Sequence, residues 1–437
     1  MSKGHDRHLH LGLWLTFLDA AEWRDPASRA EELNSLQPYV EVAEIGERAK
    51  LDALIRGDGL GLPLPDPEQA FAGSLEILTL LAALAARTER IGLIGTASTT
   101  FTEPYNLART LATLDHLSNG RVGWNIVTSI AGEEQFGYDE IPGHEERYER
   151  ADEFIEVVSK LWASWEPDAV LVDRENGVFF DPDKINTIDH HGKHFRVAGP
   201  LNIARPPQGR PVFVQAGDSE KGRDFAARHA EIVFTAQNDI GKAQAFYRDV
   251  KRRVERQGRD AARVSILPGL VVTIGGSEAE AQELHDRFLA RIDYERTRRN
   301  LESLLGGVDL SDIDLDERVP EERLPEAGAL TRQPGRAQIF IDLAKEKGAT
   351  LRRLLQALGT AHGHGRVFGT PEQVADHIQR WAGARAADGF AVSPAQGLAG
   401  ARLFADEVVP ILQDRGLFRR EYTGGTLRDH LGLPPVP

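Results

Sequence analysis

The feature that most constrains the fold is a regular alternation of short apolar runs with longer amphipathic segments. Apolar or β-branched runs that predict strands lie at 9–17, 53–57, 91–97, 122–128, 212–216, 232–235, 266–273 and 389–393. Helical patterns lie between them, at 37–50, 74–88, 105–118, 144–165, 219–229, 241–257, 277–291 and 371–385. Because most of the strands are followed by a helix, the pattern predicts a parallel sheet closed into a (β/α)8 TIM barrel.

An open, doubly wound sheet is the other fold that such an alternation allows. That fold carries a glycine-rich phosphate-binding turn after its first strand. Here the first predicted strand leads into LDAAEWRDP, which contains no glycine. The barrel is therefore favoured, and 437 residues are compatible with one barrel that carries insertions.

Two stretches and the tail depart from the alternation. Residues 166–211 follow the fourth predicted strand and its helix, and end in the proline-rich GPLNIARPPQGRP. Residues 292–365, after the seventh strand, form a charged insertion with helical pieces, and the tail 416–437 has enough Leu and Phe to dock on a surface. We expect residues 1–437 to form a single barrel domain with insertions after strands 4 and 7 and a docked C-terminal tail.

Charge and composition exclude several classes of function. The formal net charge of −15 argues against nucleic-acid and anionic-membrane partners. The chain has no cysteine, so it has no thiolate metal site and no cysteine nucleophile. The longest apolar helix-like run, ILTLLAALAA, is too short to span a bilayer. Since the N-terminus reads as a first strand and not as a signal peptide, we expect a soluble, cytoplasmic protein.

Polar side chains follow several predicted strands at the point where each strand ends. Asn125 and Thr128 end the fourth strand in GRVGWNIVTS, and Thr96 and Ser98 end the third. Asp58 follows the second strand between two glycines that permit close ligand approach. Active sites of such barrels form at the carboxyl ends of the strands. These groups therefore either face a bound ligand or only satisfy the backbone of their loops.

Two helix starts carry residues suited to holding an anion. His144 and Tyr148 are four residues apart on a predicted helix and share one face, where they either hold a polar ligand or mark an exposed helix start. Gly217 permits tight backbone approach, and Ser219 is placed to begin the next helix. Free amides at a helix N-terminus bind phosphate, and Ser219 can cap the helix at the same time.

The other histidines indicate a functional site less clearly. His190, His191 and His194 have no carboxylate or thiolate set at useful spacing, so no metal site is predicted. His362 and His364 lie in the glycine-rich AHGHGRVFG. A catalytic base and a solvent-exposed loop are both compatible with that stretch.

Several long motifs occur in the order found in one family. The chain resembles the nitrilotriacetate and dibenzothiophene-sulfone monooxygenase group of the bacterial-luciferase-like flavin enzymes in GDGL, RIGLIGTASTTFTEPYNLAR, GRVGWNIVTS, HEERYERADEFIEVVSKLWASW, GTPEQVADHI and GLFRREYTGGTLRDHLGL. The resemblance implies a (β/α)8 barrel that binds FMN non-covalently at the strand carboxyl ends. It places the family's flavin positions on Asp58, Ser98, His144, Tyr148 and Ser219. Close neighbours of these positions are Thr96, Asn125, Thr128 and Gly217.

The resemblance also implies a two-component reaction. A separate NAD(P)H:flavin reductase supplies FMNH2, which reacts with O2 to give a flavin C4a-(hydro)peroxide. One oxygen atom then passes to a small organic substrate, of which the classes considered are aminopolycarboxylates, sulfones, sulfonates and heterocycles. The family further implies a homodimer or a homotetramer.

One departure from the family pattern bears on catalysis. Relatives often carry a histidine pair before an AAWR-like segment, where this chain has Leu18 and Asp19. His10, His362 and His364 are the candidates to replace that pair in proton transfer or substrate binding. Two other readings remain open: a luciferase-like enzyme of different reaction (an F420-dependent oxidoreductase or a flavin-dependent lyase), and a non-catalytic flavin or ligand carrier.

Overall fold

A computed structural model describes residues 8–18, 23, 28–61, 75–330 and 333–436. Its strands are β1 (His10–Trp14), β2 (Ala53–Arg56), β3 (Gly92–Ser98), β4 (Val122–Val127), β5 (Val170–Asp173), β6 (Val178–Phe180), β7 (His190–His191), β8 (Arg196–Val197), β9 (Val212–Gln215), β10 (Ile232–Thr235), β11 (Ser265–Ile274), β12 (Gly365–Gly369) and β13 (Gly389–Pro394).

The α-helices of the same residues pack mainly around these strands. They are α1 (Gln37–Arg48), α2 (Ile77–Ala85), α3 (Pro104–Leu117), α4 (His144–Ala163), α5 (Glu220–His229), α6 (Ile240–Arg256), α7 (Glu278–Ala290), α8 (Tyr294–Leu304), α9 (Pro334–Lys345), α10 (Leu351–Ala361), α11 (Pro371–Gly383), α12 (Gly397–Leu403), α13 (Val409–Asp414) and α14 (Leu427–His430).

Eight of the strands form one closed parallel barrel. Their order is β10-β9-β4-β3-β2-β1-β13-β11, and β11 pairs with β10 to close the ring. The long β11 pairs with β10 through its first residues and with β12 through residues 270–274. The predicted (β/α)8 barrel is therefore confirmed, and each of the eight predicted strands is present.

Local sequence explains where several of the helices begin. Ser219, Asp239, Ser277 and Asp293 each stand before a helix, and each side chain accepts a hydrogen bond from a backbone N–H of the first turn. Such caps satisfy donors that have no partner within the helix, and typically stabilise it by about 1 kcal/mol. The caps fix the start of each helix relative to the strand before it.

The barrel interior is filled by small and branched side chains. Successive residues of a strand point to opposite faces, so every second residue enters the interior. The inward cluster comprises Ala53, Ile55, Ile94, Val212, Val214, Ile232, Leu267 and Ala391, with Trp14 and Phe234 packed against it. The interior is thus a core, and a ligand has room only at a barrel end.

The C-terminal tail closes the amino end of the barrel. Leu427 and Leu431 belong to the same buried cluster as the inward strand residues. A Cβ added to Gly92, the first residue of β3, would lie 2.5 Å from Leu427 Cδ1, so the tail contacts the barrel directly. With this end closed by the tail, the carboxyl end of the strands is left for a ligand.

The two insertions have different structures. The first contains two small antiparallel hairpins, β5–β6 and β7–β8. The second contains α8, α9 and α10, which enclose a separate buried cluster that includes Leu301, Phe340 and Leu355. This second insertion is therefore a helical layer of its own, and α9 carries it to the mouth of the barrel.

Candidate active site

The carboxyl ends of the barrel strands border a cavity of about 460 Å³. Its walls come from the loops after β2, β4 and β9 and from the first turns of α4, α5 and α9. Six predicted cofactor residues line it: Asp58, Thr128, His144, Tyr148, Gly217 and Ser219. A more open groove of about 900 Å³ lies along α4 beside His190 and shares none of these residues. We therefore take the strand-end cavity as the candidate active site.

Thr96 and Asn125 form a hydrogen-bonded pair on neighbouring strands. They are register partners on β3 and β4, and Asn125 Nδ2 donates to Thr96 Oγ1 at 2.8 Å. Thr96 in turn donates to the carbonyl of Arg56 at 3.2 Å. Asn125 Oδ1 is buried and has no hydrogen-bond partner among the described residues. A buried oxygen without a partner costs free energy, so Asn125 is suited to accept a hydrogen bond from a ligand.

Ser98 ties together the turns that follow β3 and β4. Its Oγ lies 2.6 Å from Ser129 Oγ and accepts backbone N–H groups from Thr100 and Phe101 at 3.1 and 3.2 Å. The carbonyl of Thr128 accepts Thr100 Oγ1 at 2.8 Å. Ser129 has a φ of 44°, in the left-handed region that a serine adopts only when its surroundings hold it there. Ser98 therefore shapes the cavity wall next to Thr128.

His144 and Tyr148 stand on the first two turns of α4, one above the other. Their ring centroids are 4.9 Å apart, and Tyr148 also packs edge-on against Phe225 of α5. Burial, followed by the nearby charges of Arg147 and Lys221, lowers the pKa of His144, so its imidazole is neutral near pH 7. Burial raises the pKa of Tyr148, so its hydroxyl keeps its proton. Both side chains can donate a hydrogen bond without carrying charge.

The turn from β9 into α5 brings a helix N-terminus to the cavity. Ser219 Oγ accepts the backbone N–H of Gly222 at 3.1 Å and so caps the helix. A Cβ added to Gly217 would lie 2.9 Å from Gly222 Cα, so only glycine allows the turn to pack this closely. The side chain of Glu220 is 79% exposed, which keeps its charge out of the cavity. The positive end of the α5 dipole is therefore available to an anion.

Two carboxyl groups line the same cavity, and burial raises the pKa of both. At Asp58 the Glu76 charge adds to the effect of burial. At Asp218 burial outweighs the hydrogen bond that Thr235 Oγ1 donates to Oδ1 at 2.5 Å. Both carboxyl groups take up a proton more readily than they would in water.

His364 lies at the carboxyl half of the barrel interior. Its ring packs 5.2 Å from Phe234 of β10 and covers Gly269 of β11, where an added Cβ would lie 2.5 Å from Nδ1. Nδ1 is buried and has no hydrogen-bond partner among the described residues. Burial lowers the pKa of His364 well below its usual value, so the ring is neutral. His362, which ends α10 with a φ of 48°, is exposed.

His10 lies at the other end of the barrel, which corrects its selection as a catalytic candidate. It is the first residue of β1, and its Nδ1 lies 3.2 Å from an oxygen of Asp52, just before β2. A side chain at the amino ends of the strands cannot reach a ligand at their carboxyl ends. Leu18 and Asp19 stand where relatives carry a histidine pair. Leu18 is buried, and Asp19 lies outside the described residues.

Cavity residues that were not selected from the sequence include Arg147, Gln215 and Arg336, besides Asp218. Arg147 is 3% exposed and donates to the carbonyl of Ser129. Gln215 is 4% exposed, and its Oε1 has no hydrogen-bond partner among the described residues. Arg336 reaches the cavity from the second insertion. Gln215 ends a predicted strand, which is the signal that could have found it.

The described residues contain no group of three or more His, Cys, Asp or Glu side chains placed to hold a metal ion. The buried His190 instead pairs through Nε2 with Glu153 Oε1 at 3.0 Å. In the part of the chain that the structure covers, no helix is long and apolar enough to cross a membrane.

Comparison with known proteins decides the family. The family model described as luciferase-like monooxygenase matches residues 13–388, which is most of the chain. The chain belongs to the luciferase-like monooxygenases. The match begins within β1 and ends just before β13, and so includes every residue that lines the cavity.

Individual members of the luciferase-like monooxygenases are similar to this chain over nearly its whole length. Nitrilotriacetate monooxygenase component A of Aminobacter aminovorans is 42% identical over 445 residues, covering 98% of this chain and 97% of that protein. N-acetyl-S-(2-succino)cysteine monooxygenase of Bacillus subtilis (strain 168) is 41% identical over 435 residues, covering 98% of this chain and 97% of that protein. The crystal structure of riboflavin lyase with modified FMN and riboflavin has a TM-score of 0.86 and 32% identity, covering 98% of this chain and 96% of the other.

These similarities confirm the resemblance to the nitrilotriacetate and dibenzothiophene-sulfone monooxygenase group. They also show the enzyme class, because the curated relatives that match this chain almost end to end are monooxygenases. This luciferase-like protein is therefore a flavin-dependent monooxygenase.

Proposed function

We propose that this enzyme binds reduced FMN in the strand-end cavity and inserts one O2-derived oxygen atom into a small organic substrate. The observation that carries the proposal is the meeting of a capped helix N-terminus with buried acceptors that lack a partner among the described residues. Gln215 Oε1 lines the cavity beside that helix start, and Asn125 Oδ1 lies on the neighbouring strand β4. The helix N-terminus suits a phosphate, and the acceptors suit the polar edge of a flavin ring.

The phosphate end of FMN fits the start of α5. Free backbone N–H groups of the first turn, the Ser219 hydroxyl and the Tyr148 hydroxyl can all donate to phosphate oxygens. The packing of Gly217 against Gly222 leaves this turn a bare backbone cradle. His144 stands beside Tyr148 and can add a neutral donor.

The ring end of FMN fits the polar ends of β4 and β9. Asn125 Oδ1 and Gln215 Oε1 are buried acceptors, and the isoalloxazine ring carries N–H groups that can donate to them. Thr96 fixes the Asn125 amide, so its oxygen keeps one direction. When bound, reduced FMN supplies the electrons that activate O2, and the protein positions the ring and excludes water.

His364 is the proposed proton-handling group. It is neutral near pH 7, and its Nδ1 has no partner among the described residues, so it can take a proton from the substrate or return one. The stacking against Phe234 and the contact with Gly269 hold the ring in one place. His362 is exposed at the adjacent helix end and is the second candidate for this proton-handling role.

The name of one relative supports a reaction with more than one protein component. The name of the Aminobacter aminovorans relative, component A, describes one part of a system with several components. We propose a separate NAD(P)H:flavin reductase as the source of FMNH2 and a homodimer or homotetramer as the assembly. The substrate classes are aminopolycarboxylates, sulfones, sulfonates and heterocycles.

A flavin-dependent lyase is the second candidate. The observation that favours it is the close likeness to riboflavin lyase, at a TM-score of 0.86. Both functions place a flavin in the same cavity. They differ in the fate of oxygen, because the monooxygenase leaves one O2-derived oxygen atom in its product, whereas the lyase only breaks a bond of the substrate.

The test mixes the anaerobic protein with FMNH2, admits ¹⁸O2 and follows products of the four substrate classes by mass spectrometry. We expect one ¹⁸O atom in an oxygenated product, formed only when FMNH2 is present. Fragment products without ¹⁸O would favour the lyase. Flavin oxidation that yields only hydrogen peroxide across the whole panel would contradict both candidates.

A further inference from the structure

Helix α9 of the second insertion brings an arginine to the wall of the cavity. The helix starts at Pro334, and its residues Gly335 and Arg336 line the cavity together with the turn that precedes α5. A Cβ added to Gly335 would lie 2.7 Å from Asp218 Cβ and 3.2 Å from the Ser219 nitrogen. The two helix starts are therefore in direct contact, and Arg336 follows at the next position of α9.

The Arg336 guanidinium has little protein to pair with. Its Nη1 donates to the carbonyl of His362, and the nearest acidic group, Asp218, acts on it through charge alone, without a hydrogen bond. Burial lowers the pKa of this guanidinium, yet it remains charged at neutral pH. Arginines removed from water are normally paired with an anion. Arg336 therefore has an unused capacity to bind one.

The nearby Asp218 does not fill that role. Its carboxyl group accepts hydrogen bonds from Thr235 Oγ1 at 2.5 Å and from the backbone N–H of Ala236 at 3.4 Å. Its own burial disfavours the charged form. The side chain of Asp218 is thus hydrogen-bonded to the end of β10. Its charge and that of Arg336 attract each other, but no hydrogen bond joins the two groups, so the guanidinium donors stay available.

The Arg336 side chain lies beside the end of α10. Gly335 packs against the Ser219 backbone, while Arg336 Cδ lies 3.6 Å from the position of a Cβ on Gly363. Arg336 is also close enough to His364 for its charge to lower the pKa of that ring, to which burial contributes most. The guanidinium thus lies near the proposed proton-handling histidine.

We propose that Arg336 binds a carboxylate of the substrate and holds the substrate between the flavin ring and His364. A bidentate pair with a carboxylate would use the guanidinium donors that His362 leaves free. The inference rests on the proposed function, since it assigns the substrate class of the same cavity. It selects substrates that carry at least one carboxylate over neutral ones of the same shape.

The test measures binding of nitrilotriacetate and of its neutral triamide to the FMN-saturated protein by calorimetry. We expect the wild type to prefer nitrilotriacetate, and Arg336→Gln to bind it about 10- to 100-fold more weakly, the range for a hydrogen-bonded charged group. Arg336→Lys keeps the charge and should retain part of the affinity, which gives a second reading if the Gln variant does not fold. Arg287→Gln, at an arginine whose side chain is 59% exposed, is the matched control and should bind as the wild type does.

The affinities for FMN and riboflavin separate this inference from the proposed function. Riboflavin lacks the phosphate, so the ratio of the two affinities reports the phosphate contacts. We expect Arg336→Gln to leave the ratio unchanged and Ser219→Ala to lower it. A lower ratio in Arg336→Gln would assign Arg336 to the phosphate and overturn the inference. Equal binding of nitrilotriacetate by wild type and Arg336→Gln would overturn it too, whereas failure of the wild type to bind FMN would instead contradict the proposed function.

Discussion

At the scale of single residues, the site is marked by polar atoms that the protein alone leaves without partners. Asn125, Gln215 and His364 each have one such buried atom, and all three lie at the carboxyl half of the barrel. Native proteins satisfy the great majority of their buried polar groups. Three exceptions in one region are explained if a ligand supplies the missing partners.

Asn125 gives a direct test of this explanation. Asn125→Leu removes the unsatisfied oxygen at similar volume but also the hydrogen bond to Thr96, so the two effects oppose each other and the stability of the protein without flavin should change by less than about 1 kcal/mol. The rise in Tm on adding FMN should shrink, because flavin affinity falls about tenfold for one lost hydrogen bond. Differential scanning fluorimetry with and without FMN measures both quantities. Asn186→Leu, at an exposed position, is the control and should keep the full FMN-induced rise.

At the scale of elements, the barrel could be predicted because each of its strands is an apolar run bounded by turns. The same rule found the helices that follow the strands. It missed the short β5–β8 hairpins and β12, which are too short or too polar to stand out, as in GRVFG. It also missed α12 and α13, because residues 397–414 follow the last strand, where the alternation had ended.

The turn between β9 and α5 tests whether an element boundary forms the phosphate cradle. In Gly217→Ala the new methyl group would meet Gly222 Cα at 2.9 Å and force the turn away from the helix. We expect FMN affinity to fall about tenfold or more and the protein to lose about 1–3 kcal/mol of stability, the usual cost of overpacking. Fluorescence titration with FMN and urea unfolding provide the two readings.

Gly383→Ala is the matched control for that variant. An added Cβ at Gly383, the last residue of α11, has no atom within 4 Å. It should keep wild-type FMN affinity and gain slightly in stability, since alanine is the better helix former. Wild-type FMN binding by Gly217→Ala would show that the turn does not hold the phosphate.

At the scale of the whole molecule, the C-terminal tail holds the barrel together through a buried ion cluster. Arg428 Nη2 and Arg210 Nη2 contact Glu231 Oε1 at 2.6 and 2.9 Å at the amino end of β10. Burial alone would raise the pKa of Glu231, but the two guanidinium groups outweigh it and hold the pKa below its usual value. The folded state therefore gains stability from the ionised form of Glu231.

The sign of this linkage predicts how stability depends on pH. The contribution of Glu231 is complete above the unfolded pKa of about 4.3 and is lost as the pH falls through the lower folded value. Glu231→Gln should cost about 3–5 kcal/mol at pH 7, because it leaves the buried guanidinium of Arg428 and the half-buried one of Arg210 without their anion. The difference in unfolding free energy between the wild type and Glu231→Gln should narrow below about pH 4.3.

Urea unfolding at a series of pH values checks this prediction. Glu283→Gln, at an exposed pair with Arg287, is the control and should change stability by less than about 0.5 kcal/mol. A gap between wild type and Glu231→Gln that stays constant down to pH 3 would contradict the ion-cluster explanation.

Much of the cavity wall could also be predicted. Active sites of such barrels form at the carboxyl ends of the strands, so a residue is selected by its position directly after a predicted strand. That rule and the resemblance selected Asp58, Thr128 and Ser219, which line the cavity. His10 was selected for its residue type alone, and its place at the start of β1 puts it at the wrong end. Arg336 could not be found, because its role depends on an insertion folding back onto a turn more than a hundred residues earlier.

The central claim is that FMN lies in the strand-end cavity with its phosphate at the start of α5. A crystal structure of the complex with FMN tests it most directly. We predict phosphate density within hydrogen-bond distance of Ser219 Oγ and Tyr148 Oη, and a flavin ring whose edge reaches Asn125 Oδ1. Flavin bound elsewhere, or in the cavity with the phosphate away from Ser219, would contradict the account.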